Sequence, residues 1–241
     1  MKLILVGYGK MGRMLEELLR ERGDAQILGA VHPGLFESAW DVPGAPDALI
    51  DFSYPGNLED TLGRAVDARA AAVIGTTGLS AAQHAVIAEA ARSIPVVHAA
   101  NFSLGVAVLR RALEQVAPLL LECGFDAEIV ETHHNQKADA PSGTARALLR
   151  AIDPQDAYAH VYGREGLTGA RGREIGVHAV RGGTVAGEHS ALFFGQDETL
   201  EFRHSAASRR IFAAGAVRAL GFALGRAPGL YGIDDVLGLG Q

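Results

Sequence analysis

The chain opens with a short apolar run, Lys2–Val6, that passes at once into Gly7-Tyr8-Gly9-Lys10-Met11-Gly12. Met11, Met14, Leu15, Leu18 and Leu19 then recur at helical spacing. A Gly-x-Gly-x-x-Gly alone is weak evidence here, because 30 of the 241 residues are glycine. Its context is what constrains the fold. Between a strand and a helix, the first glycine makes a tight turn, the second lets a pyrophosphate approach the backbone, and the third lets helix and strand pack closely. The alternation continues, with strands expected at Gln26–Val31, 48–52, 71–75 and Pro95–His98 and helical segments between several of them. Parallel strands joined by right-handed crossovers make a doubly wound sheet. The expected fold class is therefore α/β, with an N-terminal Rossmann-like doubly wound parallel sheet.

Such sheets bind ligands beyond the carboxyl ends of their strands. Three expected strands run out into Asp51-Phe52-Ser53, Gly75-Thr76-Thr77-Gly78 and Ala99-Ala100-Asn101-Phe102. Any one of these is ordinary turn composition. Three in succession, on the side of the glycine loop, read as a cofactor cleft. The candidate cofactor-binding residues are Gly7, Gly9, Lys10, Met11, His32, Ser53, Gly75, Thr76, Thr77, Ala99, Ala100, Asn101 and Phe102. Folds of this kind that prefer NAD place an acid after the second strand. Here Ala30-Val31 is followed by His32-Pro33, with Lys10 in the nearby loop, so NADPH is expected to serve at least as well as NADH.

After Asn101 the alternation lapses. A long helix is expected at 103–121 and the first strand of a different sheet at 127–132. The polar segment 162–176 reads as a mobile loop whose charge is solvated. Strands at 175–181, 184–194 and 199–204 read as antiparallel, with Arg181-Gly182-Gly183 as a turn. A helix follows at 208–224, and the tail is expected to return to the first domain. This divides the chain into a dinucleotide-binding domain, 1–102 with 215–241, and a substrate-binding and oligomerisation domain, 103–214, with a mixed or antiparallel sheet.

The segment from Glu131 to Thr144, ETHHNQKADAPSGT, lies between an apolar-alternating strand and the helical run ARALLRAI. It puts His133, His134 and Lys137 beside a Ser142-Gly143-Thr144 that opens a helix, where backbone N–H groups can hold an anion. That layout suits a site that protonates a substrate while gripping a carboxylate. Lys2, Lys10 and Lys137 are the lysines among 22 basic residues, so lysine at 137 is a marked choice. Lysine can be deprotonated and retuned by burial, whereas arginine effectively cannot. The plainer readings are a packed or solvated histidine, since adjacent residues on a strand face opposite sides, and a surface lysine. A metal held by His133, His134 and Asp139 is chemically conceivable. With one cysteine and no second histidine cluster nearby, it is not the expectation.

A net charge of -6 leaves no electrostatic footprint for nucleic acid. No apolar run approaches a membrane span, and the first residues read as strand and turn rather than a signal peptide. The single Cys123 fits a reducing cytoplasm.

GYGKMG, GTTGLS, AANFSLGV, ETHHNQKADAPSGTA, RGGTVAGEHS and HSAASRRIFAAGAVRA occur in this order. Together they resemble the 4-hydroxy-tetrahydrodipicolinate reductase (dihydrodipicolinate reductase) family over nearly the whole chain. The resemblance implies hydride transfer from NADH or NADPH to a cyclic dicarboxylate, in the diaminopimelate route to lysine, by a homotetramer. By the matching segment it implies His133 and Lys137 as proton donors, and His134 with the Ser142-Gly143-Thr144 turn as the substrate-binding group. Two other readings compete: another amine- or imine-related dehydrogenase, such as an aspartate dehydrogenase, on the same architecture, and a non-catalytic nucleotide-sensing protein. The His-His-x-x-Lys segment followed by Ser-Gly-Thr argues against both.

Overall fold

The computed structural model describes residues 1–239. Its elements are β1 (Lys2–Val6), α1 (Lys10–Arg22), β2 (Gln26–Val31), β3 (Ala48–Asp51), α2 (Leu58–Ala68), β4 (Ala71–Ile74), α3 (Ala81–Ala90) and β5 (Pro95–His98). There follow α4 (Leu104–Glu122), β6 (Asp126–His133), α5 (Gly143–Ile152), β7 (Ala159–Val161), β8 (Glu174–Arg181), β9 (Glu188–Phe194) and β10 (Thr199–Ser205). The chain closes with α6 (Arg210–Ala223), β11 (Gly229–Tyr231) and α7 (Ile233–Leu237). Two compact units result, one built from 1–104 with the segment from Arg210 onward, the other from 105–209.

The first unit holds a six-stranded sheet ordered β11-β5-β4-β3-β1-β2, with every pair parallel. Its central strands β3 and β4 are short and, but for Asp51 at the end of β3, apolar. β3 and β4 are buried at every position, as required of strands covered on both faces. Local chemistry sets the helix ends. α1 stops at Gly23 in the left-handed conformation, φ 74°, and α3 starts from a Ser80–Gln83 capping box. α6 packs against α1 in this unit, and β11 adds an edge strand beside β5. β11 has three residues, too few to show a period, and was not expected from the sequence.

The second unit is a five-stranded mixed sheet ordered β10-β9-β6-β8-β7, with α4 and α5 contributing to its core. Leu113, Leu148, Ile129, Val177 and Phe193 lie at the centre, each at most 1% exposed. Here the expected antiparallel run of three strands is corrected. β8 pairs in parallel with β6, and β9 pairs antiparallel with β6 on its other side, so β6 separates the two. The connection does not turn as a hairpin at Arg181-Gly182-Gly183. It wraps across the end of β6: Gly182 N donates to His133 O (2.9 Å), His134 N to Val185 O (2.8 Å) and Asn135 N to Gly183 O (3.2 Å). β9 consequently begins at Glu188 rather than at 184. In the 162–173 segment, Arg164 and Arg171 pair with Glu128 on β6 and with Glu174, so part of its charge is tied down rather than solvated.

Candidate active site

In the first unit, the carboxyl ends of β1, β3, β4 and β5 lie along one edge of the parallel sheet. Gly7 makes the turn after β1 with φ +89°, and its N–H donates to Val31 O (3.0 Å). A Cβ at Gly12 would stand 2.2 Å from Gly7 O, so helix and turn approach as closely as backbones allow. Gly9 caps α1 without a side-chain bond, no acid lies in the first turn, and nothing comes within 4 Å of where its Cβ would be. These features fit a pyrophosphate held on the N–H groups of a helix start. Lys10 is exposed at the first helical position, and Met11 packs partly into the core. His32 is half-buried, with Nδ1 3.0 Å from Pro33 O and its ring edge-on to Tyr8.

Asp51, at the end of β3, is fully buried and organises the neighbouring ends. It accepts from Ser53 N (2.9 Å), Ser53 Oγ (2.6 Å), Thr76 Oγ1 (2.7 Å) and Thr61 Oγ1 (3.3 Å). Burial raises its carboxyl above the usual range in spite of those donors. Ser53 and Thr76 are thus engaged inside the protein, while Thr77 and Ala100 are exposed and Ala99 is half-buried. Gly75 leaves room for Phe52, whose ring lies 2.4 Å from where its Cβ would be. The Asn101 side chain accepts from Ser103 N (2.7 Å). Phe102 is 1% exposed, main chain included: its ring packs on Phe52 and its carbonyl lies against Gly215, so the structure buries it rather than presenting it to a ligand.

In the second unit, β6 alternates inward and outward, so Glu131 and His133 share a face. Both are buried. Arg181 clamps Glu131 bidentately, Nη1 to Oε2 at 2.9 Å and Nη2 to Oε1 at 2.8 Å. Ser142 N donates to Oε1 (3.0 Å), and His133 Nδ1 bonds to Oε2. Burial opposes ionisation of Glu131, but Arg181, His133 and the Ser142 N–H outweigh it and hold the carboxyl below its usual range. Burial also lowers His133; Glu131 pulls the other way, and Lys137 and Arg181 add to the lowering.

Ser142 caps α5 by accepting from Ala145 N (3.1 Å), and its Oγ lies 3.2 Å from His189 Nε2. His189, on β9, packs edge-on to His133 with ring centroids 5.1 Å apart; burial, with His133 alongside, pushes it down to about 4. Gly143 opens the helix into space, with nothing within 4 Å of an added Cβ. His134 sits just past the strand end, its Nε2 3.0 Å from Arg209 Nη2. Lys137 Nζ bonds Asp139 Oδ1 (2.7 Å), which holds the Asp139 carboxyl low. Glu131 thus joins His133 and Ser142 into one constellation at the start of α5, with Lys137 acting on His133 through its charge, whereas His134 is tied to Arg209.

The residues behind that constellation were missed in the sequence. Arg181 and His189 both lie inside RGGTVAGEHS, which signalled family resemblance without indicating what they touch. Arg209 comes from 75 residues beyond His134. Among the described residues, the group spaced for a metal is Asp153, Asp156 and His160, at the far end of α5. There Asp153 already accepts from Ala157 N and Tyr158 N.

Comparison with known proteins agrees with both halves. Residues 1–102 match the family model "Dihydrodipicolinate reductase, N-terminus" and residues 105–237 match "Dihydrodipicolinate reductase, C-terminus". A 4-hydroxy-tetrahydrodipicolinate reductase of Exiguobacterium sp. is 40% identical over 242 residues, covering 98% of this chain and 95% of the relative. That of Pseudomonas fluorescens is 43% identical over 263 residues, 98% of each chain. A dipicolinate-bound dihydrodipicolinate reductase from Paenisporosarcina sp. TG-14 shares the fold, with a TM-score of 0.76 at 22% identity over 97% of this chain and 98% of that one. With both family models matched in order, and relatives of this identity aligned end to end, the chain belongs to the dihydrodipicolinate reductase family.

Proposed function

We propose that this protein reduces 4-hydroxy-tetrahydrodipicolinate to tetrahydrodipicolinate with NADPH or NADH, the 4-hydroxyl leaving as water, in the diaminopimelate route of lysine biosynthesis. The observation that carries this reading is the joining of a buried, carboxylate-held imidazole, His133, to the helix start at Ser142-Gly143-Thr144. A reduced nicotinamide supplies the hydride. The glycine loop and α1 hold its pyrophosphate, and the ends of β3, β4 and β5 supply Ser53, Gly75–Thr77 and Ala99–Asn101 as the remaining cofactor contacts. Hydride arriving at the substrate ring leaves negative charge in the conjugated system. His133 and Lys137 neutralise it by delivering a proton, a contribution of about 10² to 10⁴ in rate. Gly143, Thr144 and His134 hold the carboxylates, by N–H groups at a helix start and by a polar ring. The dicarboxylate's own charge favours the protonated imidazole of His133 at the moment it is needed.

Lys10 and His32 accommodate a 2′-phosphate, and no acid follows β2 to repel it. The working form is a homotetramer assembled through the sheet of the second unit, in the cytoplasm, with small molecules rather than nucleic acid or membrane as partners. Among the described residues, no helix is long and apolar enough to cross a membrane. The test is direct. Pyruvate and aspartate semialdehyde are condensed enzymatically, the fresh product is added with cofactor, and loss of NAD(P)H absorbance is followed. Absence of substrate-dependent oxidation with both cofactors refutes the reading.

A further inference from the structure

The mechanism above uses His133 but assigns nothing to the buried carboxylate beneath it. Glu131 is 0% exposed and receives four donors: two from Arg181, one from the Ser142 backbone and one from His133. A buried carboxylate is retained in a core only when its partners satisfy it, and losing one partner is expensive. Two of these donors belong to the substrate machinery itself. Because an ionised carboxylate can only accept, His133 Nδ1 must carry the hydrogen in that bond. His133 Nε2 is thereby left as the atom that takes up and releases a proton. It lies beside Gly187, where an added Cβ would stand 3.0 Å away and where φ is +153°, so any side chain there would crowd that nitrogen. Through Ser142 N, the same carboxylate fixes the residue that caps α5.

We propose that Glu131, clamped by Arg181, is a positioning residue that ties the proton donor to the anion-holding helix end. It fixes His133 in the Nδ1–H tautomer with Nε2 as the transferring atom, and it pins Ser142 so that Gly143 stays aimed at the substrate. This deepens the proposed function and rests on His133 acting there as the acid. The groups facing His133 are Glu131 on its own strand, Arg181 from β8, His189 from β9 and Lys137 from the loop. Of these, Glu131 is the anion, so its charge is what favours an imidazolium against burial and two cations.

Two measurements test the proposal, and one needs no turnover. Nitrogen-15 NMR of the histidine-labelled wild type, with His133→Gln used for assignment, should show neutral His133 protonated at Nδ1. Protonation at Nε2 overturns the proposal even if the enzyme is fully active. In Glu131→Gln, the limb of kcat that falls with rising pH should move to lower pH by about 1–3 units. KM for the dicarboxylate should rise while KM for NADPH stays unchanged. Loss of kcat by one factor at every pH, with the limb in place, would mean a merely structural role and overturn it. If the variant does not fold, the wild-type tautomer still decides. A wild type that never oxidises NAD(P)H would instead refute the proposed function, leaving the tautomer result to stand by itself.

Discussion

Gly143→Val isolates the anion grip from everything else in the site. The backbone at Gly143 lies outside the left-handed region, and nothing comes within 4 Å of an added Cβ, so the variant should fold without strain. Glycine is itself a poor helix residue, so valine should leave stability within about 1 kcal/mol, or roughly 2–4 °C in Tm for a chain of this size. What the branched side chain does is occupy the approach to the first N–H of α5, which has no intrahelical acceptor. A hydrogen bond from that N–H to a carboxylate contributes about 1.5–3 kcal/mol, and each 1.4 kcal/mol is tenfold in an equilibrium constant. KM for the dicarboxylate should therefore rise by roughly 10-fold to 150-fold. Because Gly143 belongs to the second unit and the glycine loop to the first, KM for NADPH should stay within about twofold. Steady-state kinetics with each ligand varied in turn, beside a thermal melt, reads all three quantities. An equal rise for both ligands, or no rise for the dicarboxylate in a folded variant, refutes the assignment of this helix start.

Other outcomes follow from the same geometry. His133→Ala and Lys137→Ala should each lower kcat by about 10² or more with NADPH binding intact by fluorescence titration; near-normal turnover in both would remove them as donors. Wild-type kcat/KM for NADPH should equal or exceed that for NADH, and His32→Glu should shift the ratio toward NADH by about 1–2 kcal/mol; a wild-type preference for NADH beyond about tenfold contradicts it. Burial pushes His189 from 6.5 down to about 4, so the unfolded chain binds more protons in that window and stability is lost as pH falls through it. The unfolding free energy from urea titrations should drop between those pH values by up to about 3 kcal/mol, and His189→Phe should flatten the slope; an unchanged slope in a folded variant rejects this origin. Light scattering at micromolar concentration should give four times the chain mass, and a monomer would refute the tetramer.

Much of the first unit was readable because each central strand is a short, largely apolar run between turn residues, and because the glycine loop sits where its three glycines have separate steric tasks. The segment from Glu131 to Thr144 was equally legible, since its chemistry is contiguous in the chain. What escaped reading depends on long-range pairing. The direction of β8 beside β6 leaves no trace in its own alternation, because a parallel and an antiparallel strand bury the same face. The Arg181–Glu131 clamp joins residues 50 apart, and the His189–Ser142 contact joins residues 47 apart. Glu131 itself was visible only as a residue of a strand. Its meaning came from what the fold delivers to it.

The position of β6 carries a consequence for how such an enzyme fails. It is hydrogen-bonded along both edges, to β8 over 127–133 and to β9 over 126–132. Opening it requires breaking the sheet from both sides, whereas β7 and β10 at the margins can fray alone. Amide exchange along β6 should therefore be among the slowest in its unit, and His133, the proposed proton donor at its end, inherits that protection. Partial opening at the margins leaves the donor in place. Heat should accordingly end turnover and melt the central ladder in one event, leaving no long-lived species that keeps the sheet but has lost the chemistry.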